Sequence, residues 1–498
     1  MAPHRIFRSM RISLLLAWML AGSANAQVQA NDRIAALLDR APFDHALWGV
    51  LVVDDHGDVV FARNADRLFT PASTSKLIVS AAASALLRPR FTVTTTVYGS
   101  GTFDSGVLRG DLIVYGRGDP TFSAHCYATA TPPAGACDSL WTRMGALAET
   151  LARRGLRHVT GAIVGDGSYF EPQLLHPAWQ MYDVNWHYAA PVSALGFNDN
   201  SVNVIWSPGP SPDAPARIRF EPDLAAFTFE NRTTTVEAGG ESTIDFYRKP
   251  GTMQLWAEGT VARGARERTE YFALPDPNLY FVQALRAALR ARGISIAGPD
   301  ESATGAGRVC ADCVVLAEFD SRPVEDWVYA ILNTSENGFS EMLLKVLGRE
   351  LRGEGSWEAG LEVERAFLVD SVGIDPTHFA LADGSGLARQ NLLSPRALVQ
   401  LLRFMRDHPN GAAFHTGLAV GGASGTLSGR FRDATMPGRV VAKTGSIDQA
   451  NTLAGYVEQP NGRHLTFAIM LNHHTASFRA AVNRIDAIVR EAAQSYPF

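Results

Sequence analysis

One stretch constrains this chain more than any other: Pro71-Ala72-Ser73-Thr74-Ser75-Lys76, followed by the apolar run Leu77 to Leu87. That run contains no Gly or Pro and is rich in Ala and Leu, which predicts a buried helix. Pro71 suits a segment entering it. Residues three apart share a helix face, so the Ser73 hydroxyl and the Lys76 amine can meet at its mouth. In the first turn, the N–H of Ser73 also points outward, at the positive end of the helix dipole. A serine hydroxyl becomes a nucleophile when a neighbouring base takes its proton, and a desolvated lysine is such a base. Taken alone, S-x-x-K recurs by chance, and Ser73 as a plain helix cap is the competing reading.

Composition favours the chemical reading. Lysine occurs only at positions 76, 249, 345 and 443, against 41 arginines. Arginine keeps its proton at any workable pH, whereas a buried lysine can lose it. A chain that uses Arg almost everywhere has put Lys where a titrating amine would serve.

Residues 1–26 read as a secretory signal: Arg5, Arg8 and Arg11, the apolar core Ile12 to Ala21, then the small-x-small site Ala24-Asn25-Ala26. The core is short for a membrane span, and no later stretch approaches one, so the mature chain is expected to be exported to the periplasm without an integral span. Losing the three leader arginines takes the net charge from −5 to −8, which with the absence of a basic run argues against nucleic acid. Residues 27–498 are too many for one ordinary domain. The four cysteines fall in two close pairs, Cys126 with Cys137 and Cys310 with Cys313. In an exported protein these read as local disulfides; a zinc site or a redox C-x-x-C is the alternative.

Hydrophobic periodicity divides the chain. Asp32–Asp39 reads as a short helix, and Leu47–Val53 and Val59–Asn64 as a hairpin. From about Phe91 short β-rich segments take over (Thr92–Tyr98, Leu108–Tyr115, Ala162–Val164, Val202–Trp206, Thr243–Arg248), with one clear helix, Asp138–Arg154. From about Arg322 long helical patterns return, then strands near Arg439–Ala442, Thr452–Glu458 and Leu465–Leu471, then a helix over Ser477–Gln494. The expectation is a multi-domain α/β protein: one α/β unit from residues 27–90 and 318–498, interrupted by a β-rich insertion over 91–317.

Two further constellations stand in the α/β unit. In Asn333-Thr334-Ser335-Glu336-Asn337-Gly338 a turn can point a hydroxyl, Ser335, and a carboxamide, Asn337, the same way, for proton relay and for bonding a substrate amide. Helix capping is the bland alternative. In Lys443-Thr444-Gly445-Ser446, after a β-like run, Lys443 supplies positive charge, Gly445 allows a substrate to approach the backbone, and the Ser446 N–H can face an oxyanion. A surface lysine on an edge strand is the alternative there.

S-x-x-K, S-x-N and K-T-G in that order are the motif set of penicillin-binding proteins and serine β-lactamases. The long gap from Ser73 to Ser335 resembles the class C low-molecular-mass penicillin-binding proteins, the D-alanyl-D-alanine carboxypeptidase/endopeptidase family called S13. Gly116-Arg117-Gly118-Asp119-Pro120, Ala194-Leu195-Gly196-Phe197-Asn198-Asp199-Asn200, Asp383-Gly384-Ser385-Gly386-Leu387 and Gly425-Thr426-Leu427 are also similar to that family. Glu336 stands where the family usually has Asp, at an x position expected to matter little.

The resemblance implies the penicillin-binding-protein/β-lactamase-like transpeptidase fold and these roles. Ser73 attacks the penultimate D-Ala carbonyl of peptidoglycan stem peptides, with Lys76 as general base. The oxyanion sits between the N–H groups of Ser73 and Ser446. Ser335 and Lys443 pass a proton to the leaving D-Ala, whose carboxylate Lys443 and Thr444 hold. Asp166, in Asp166-Gly167-Ser168-Tyr169-Phe170, can meet an amine of the stem's diamino acid, with a buried turn aspartate as the other reading. β-Lactams are expected as acylating inhibitors. No cofactor or metal is implied, and there is no H-E-x-x-H. A β-lactamase shares the motifs, but E-x-x-L-N is missing; a non-catalytic periplasmic binding protein would not need all five polar side chains.

Overall fold

The computed structural model describes residues 31–495 except 127–136, 225–226, 250–251, 433–435, 437 and 460–461. The expected leader at 1–26 lies outside the described residues.

The strand Leu47–Val53 shows how the architecture arises. Successive side chains of a strand point to opposite faces, and here both faces are buried, which is why Leu-Trp-Gly-Val-Leu-Val-Val is almost continuously apolar. Trp48, Val50 and Val52 enter one core. Leu51 and Val53 enter another on the opposite side. The strand belongs to a six-stranded antiparallel sheet ordered Val59–Arg63, Leu47–Val53, His464–Asn472, Ala450–Glu458, Arg439–Ile447, Ala419–Val420. Pairing of Leu47–Val53 with His464–Asn472, Val50 opposite Ile469, joins the two ends of the chain in one sheet.

Helices cover both faces. Residues 31–38 and the helix Phe478–Ser495 pack on one side, through Ile34, Leu38, Ile485 and Ile488. On the other lie Lys76–Leu86, Val324–Tyr329, Asn337–Arg352, Trp357–Ala366 and Pro395–Asp407. Lys76–Leu86 is buried over its first eight residues. It therefore stands inside the layer, which explains its Ala-rich composition, and the turn before it lies against the strand Arg439–Ile447, where a Cβ on Gly445 would stand 3.0 Å from Ser73 N.

Residues between Val97 and Ala317 build a third core of their own, around Phe122, Met144, Leu147, Phe281 and Leu285. Its largest sheet has five strands, ordered Asp300–Ala303, Ile163–Asp166, Leu112–Tyr115, Thr94–Gly99, Val314–Asp320. The expected strand Leu108–Tyr115 is two strands in different sheets, Val107–Arg109 and Leu112–Tyr115. They part at Gly110, where a Cβ would fall 1.6 Å from the Ser100 carbonyl oxygen. A second helix, Pro277–Arg290, accompanies Thr142–Arg153 where the sequence reading expected one. Asp276 caps it through Leu279 N at 3.0 Å, and Pro277 opens it.

Cys126 bonds Cys137 and Cys310 bonds Cys313, the two local pairings. Among the described residues no helix is long and apolar enough to cross a membrane.

Candidate active site

Ser73 lies in a 3₁₀ turn, Ala72–Ser75, that runs directly into the helix Lys76–Leu86. Ala72 is left-handed at φ 49°, an uncommon state for a residue with a Cβ. Gly386 makes room beside it, for a Cβ there would lie 2.0 Å from the Ala72 carbonyl oxygen. The fully buried Lys76 places its Nζ 2.9 Å from Ser73 Oγ, 2.7 Å from Asn337 Oδ1 and 2.8 Å from Ser385 O. An ammonium would donate to all three oxygens. A neutral amine has two N–H bonds and one lone pair. Since Asn337 Oδ1 and Ser385 O can only accept, the lone pair falls to the Ser73 hydroxyl. Burial lowers the Lys76 pKa to about 8, against the opposing charges of Asp383, Glu341 and Glu336.

The second motif closes on the same point. Ser335 follows the π turn Ala330–Thr334 and is left-handed, φ 75°. Its Oγ accepts from Lys443 Nζ at 2.8 Å. Asn337 opens the next helix, and its Nδ2 donates to Tyr188 O at 2.6 Å, leaving Oδ1 for Lys76. Lys443 is also fully buried, and its second bond goes to Thr444 O at 2.8 Å. Burial, then the charge of Lys76, holds its pKa well below the lysine range. Thr444 Oγ1 meets Thr426 Oγ1 at 2.9 Å, tying Gly425-Thr426-Leu427 to the third motif. A nucleophile, two perturbed amines, a relay hydroxyl and a carboxamide thus converge from three separate stretches, an arrangement suited to acyl transfer.

A profile of the D-Ala-D-Ala carboxypeptidase 3 (S13) family matches residues 30–495. This chain belongs to that family. A D-alanyl-D-alanine carboxypeptidase of Actinomadura sp. (strain R39) is 30% identical over 489 residues, covering 95% of this chain and 86% of the relative. The crystal structure of penicillin binding protein 4 from Haemophilus influenzae superposes with a TM-score of 0.78 at 22% identity, covering 92% of this chain and 97% of that one. The same protein complexed with a β-lactam gives a TM-score of 0.72 at 21% identity, with the same coverage. These likenesses agree with a multi-domain α/β chain built on the penicillin-binding-protein fold.

In this S13 chain two cavities open at Ser73 and share Ser446. One, of about 320 Å³, is lined by Asp183, Tyr188, Arg389 and Asp448 among others. The other, of about 530 Å³, is lined by Ser335, Thr444 and Gly445 among others. The close approach at Gly445 is to the nucleophile's own turn. A Cβ there would stand 2.6 Å from Pro71 O and 3.0 Å from Ser73 N, and 2.2 Å from Thr452 Oγ1.

Asp166 is not brought to this cleft. It is fully buried, with Oδ1 accepting from Ser168 N at 3.0 Å and Oδ2 from Arg308 N at 2.6 Å. Each oxygen holds a backbone amide and Asp166 lines neither cavity, which favours the turn-aspartate reading over the substrate-amine expectation.

Several cleft residues escaped the sequence reading. Asp183 accepts from Tyr188 Oη at 3.0 Å, and burial raises its pKa. Arg389 reaches Asp448 Oδ2 at 3.2 Å. Behind Lys76, Glu341 Oε1 accepts from Ser385 N at 2.7 Å, and its Oε2 from Trp357 Nε1 at 2.8 Å and Gly384 N at 3.2 Å. Asp383 accepts from Gly386 N at 2.8 Å, Ala388 N at 2.7 Å and Trp179 Nε1 at 2.9 Å. The two carboxylates therefore fix the peptide whose carbonyl receives Lys76. Burial and the charge of Asp383 push Glu341 up to about 7.

Proposed function

We propose that this chain is a serine D-Ala-D-Ala carboxypeptidase and D,D-endopeptidase that acts on peptidoglycan stem peptides through an acyl-enzyme at Ser73. One observation carries the reading: a buried amine, lowered toward neutral pH, whose remaining lone pair faces the Ser73 hydroxyl. Lys76 takes the Ser73 proton as Oγ attacks the penultimate D-Ala carbonyl. The N–H groups of Ser73 and Ser446 receive the oxyanion. Ser335, bonded to Lys443, hands its proton to the departing amine and is reprotonated at the expense of Lys76, which returns to its neutral form, while Lys443 with Thr444 holds the leaving group's carboxylate. Water then enters and Lys76 serves again as base. Release of free D-Ala and cleavage of a cross-link differ only in the amine that leaves, so one site performs both.

The active unit is residues 27–90 and 318–498, and the insertion 91–317 roofs part of the cleft, since Asp183 and Tyr188 come from it. With carboxylates at Asp183 and Asp448 and a guanidinium at Arg389, that arm suits a stem side chain carrying both charges. The leader at 1–26 directs the chain to the periplasm, where its substrate lies. β-Lactams, which mimic the acyl donor while the leaving group stays tethered, acylate the same serine.

The test is digestion of purified cross-linked muropeptides by the mature chain, with products identified by mass. Release of D-Ala and conversion of dimers to monomers are expected, both absent in Ser73→Ala. Intact muropeptides with the parent protein would overturn the proposal.

A further inference from the structure

Glu336, between Ser335 and Asn337, does not face open solvent as an x position would suggest. It lies against two residues of the insertion, His125 and Asp199. Donor atoms of these three side chains all fall within 4.8 Å of one another. His125 Nε2 stands 3.1 Å from each carboxylate oxygen of Asp199. Among the described residues no arginine or lysine forms an ion pair with Asp199 or Glu336, in a chain with 41 arginines. The positions are firmly set. Asp199 is the middle of three consecutive left-handed residues, Asn198 to Asn200, and its N–H donates to Ser123 Oγ at 3.0 Å. The His125 ring stands edge-on to Phe339 with centroids 5.0 Å apart. The side chains of His125 and Asp199 keep 15% and 25% of their exposure, so the cluster is walled yet reachable from solvent.

We propose that His125, Asp199 and Glu336 form a divalent transition-metal site, of the zinc type, that ties the insertion to the loop carrying Ser335 and Asn337. One imidazole and two carboxylates, completed by water, are a set zinc accepts, with bonds of about 2.0–2.2 Å and tetrahedral geometry. Such a geometry puts ligand atoms about 3.3 Å apart, close to the 3.1 Å already held between His125 and Asp199. The ligand oxygen of Glu336 already lies within 4.8 Å of both. Without sulfur the set is unsuited to copper(I), and with so few oxygens it is unsuited to calcium. The site stands beside the reacting groups and takes no part in the bond changes at Ser73.

The experiment is equilibrium dialysis of the mature, chelator-stripped protein against buffered zinc, with bound metal measured by mass spectrometry. The expected result is saturable uptake of one zinc per chain at micromolar zinc. Affinity should fall at least about tenfold in His125→Asn and in Glu336→Gln, each checked for folding by circular dichroism. Cobalt in place of zinc should give the visible bands of a tetrahedral ion, a readout on the parent alone that stands even where a variant fails to fold. No saturable uptake, an octahedral cobalt spectrum, or unchanged uptake in a folded His125→Asn or Glu336→Gln would each overturn the proposal.

Discussion

Lys76 and Ser385 are joined by a 2.8 Å bond from the lysine amine to the serine's carbonyl oxygen, and this backbone contact helps define the base. Together with Asn337 Oδ1 it occupies two of the positions around Nζ, so a proton leaving Ser73 has one place to go. Catalysis by that amine requires its neutral form. Burial, which disfavours the ammonium, draws the pKa down from 10.5 to about 8. Acylation by benzylpenicillin should therefore rise with pH through a limb centred near 8 and level off above it. Stopped-flow acylation rates from pH 6 to pH 10 check this; a flat profile would mean that Lys76 does not gate the step.

Lys76→Arg keeps the charge but cannot supply a neutral nitrogen. Loss of a general base typically costs about 10²–10⁴ in rate. The second-order acylation constant should fall by that range with the circular dichroism spectrum unchanged. A rate within a fewfold of the parent's would assign the proton to another group.

Glu341→Gln separates electrostatics from architecture. The Glu341 charge raises the Lys76 pKa, so removing it should shift the acylation limb to lower pH. The variant also turns an NH₂ toward N–H donors that now meet a carboxylate. An unsatisfied buried donor costs about 1–3 kcal/mol, so chemical denaturation should show a loss of that order. A stability loss with no movement of the limb would leave Glu341 as scaffold only.

Gly445→Ala tests the contact between the third motif and the nucleophile's turn. The added carbon meets Thr452 Oγ1 at 2.2 Å and Pro71 O at 2.6 Å. One or both must move, and Ser73 with them. Misplacement of about 1 Å can cost about 10² in rate, and a fall of that order in acylation is expected. Parent-like acylation would show that the turn does not rest on this position.

The motifs were legible in sequence because each compresses its chemistry into three or four adjacent residues: Ser73 with Lys76, Ser335 with Asn337, Lys443 to Ser446. The helices flanking them were legible for a similar reason, since an uninterrupted apolar period such as Leu77 to Leu87 is a local signal. What escaped is non-local. Asp183 and Tyr188 sit in short 3₁₀ turns and Arg389 in a loop, and only the fold brings them to Ser73. Glu341 acts through a peptide 44 positions away. Glu336 reads as a spacer in sequence because its neighbours in the fold, His125 and Asp199, lie far upstream. Asp166 is the opposite case, a motif-like aspartate that is buried and holds two backbone amides. The helix Pro277–Arg290 carries a readable start, Asp276-Pro277, but lies among strands and turns whose signals mask it.

The proposed chemistry turns on Ser73 as the acylated residue. The most direct measurement is intact-mass and peptide-map analysis of the mature chain after incubation with benzylpenicillin. One penicilloyl group on the peptide bearing Ser73, lasting minutes or longer and absent from Ser73→Ala, is the predicted result. An adduct on any other serine, or none on the folded parent, would contradict the account.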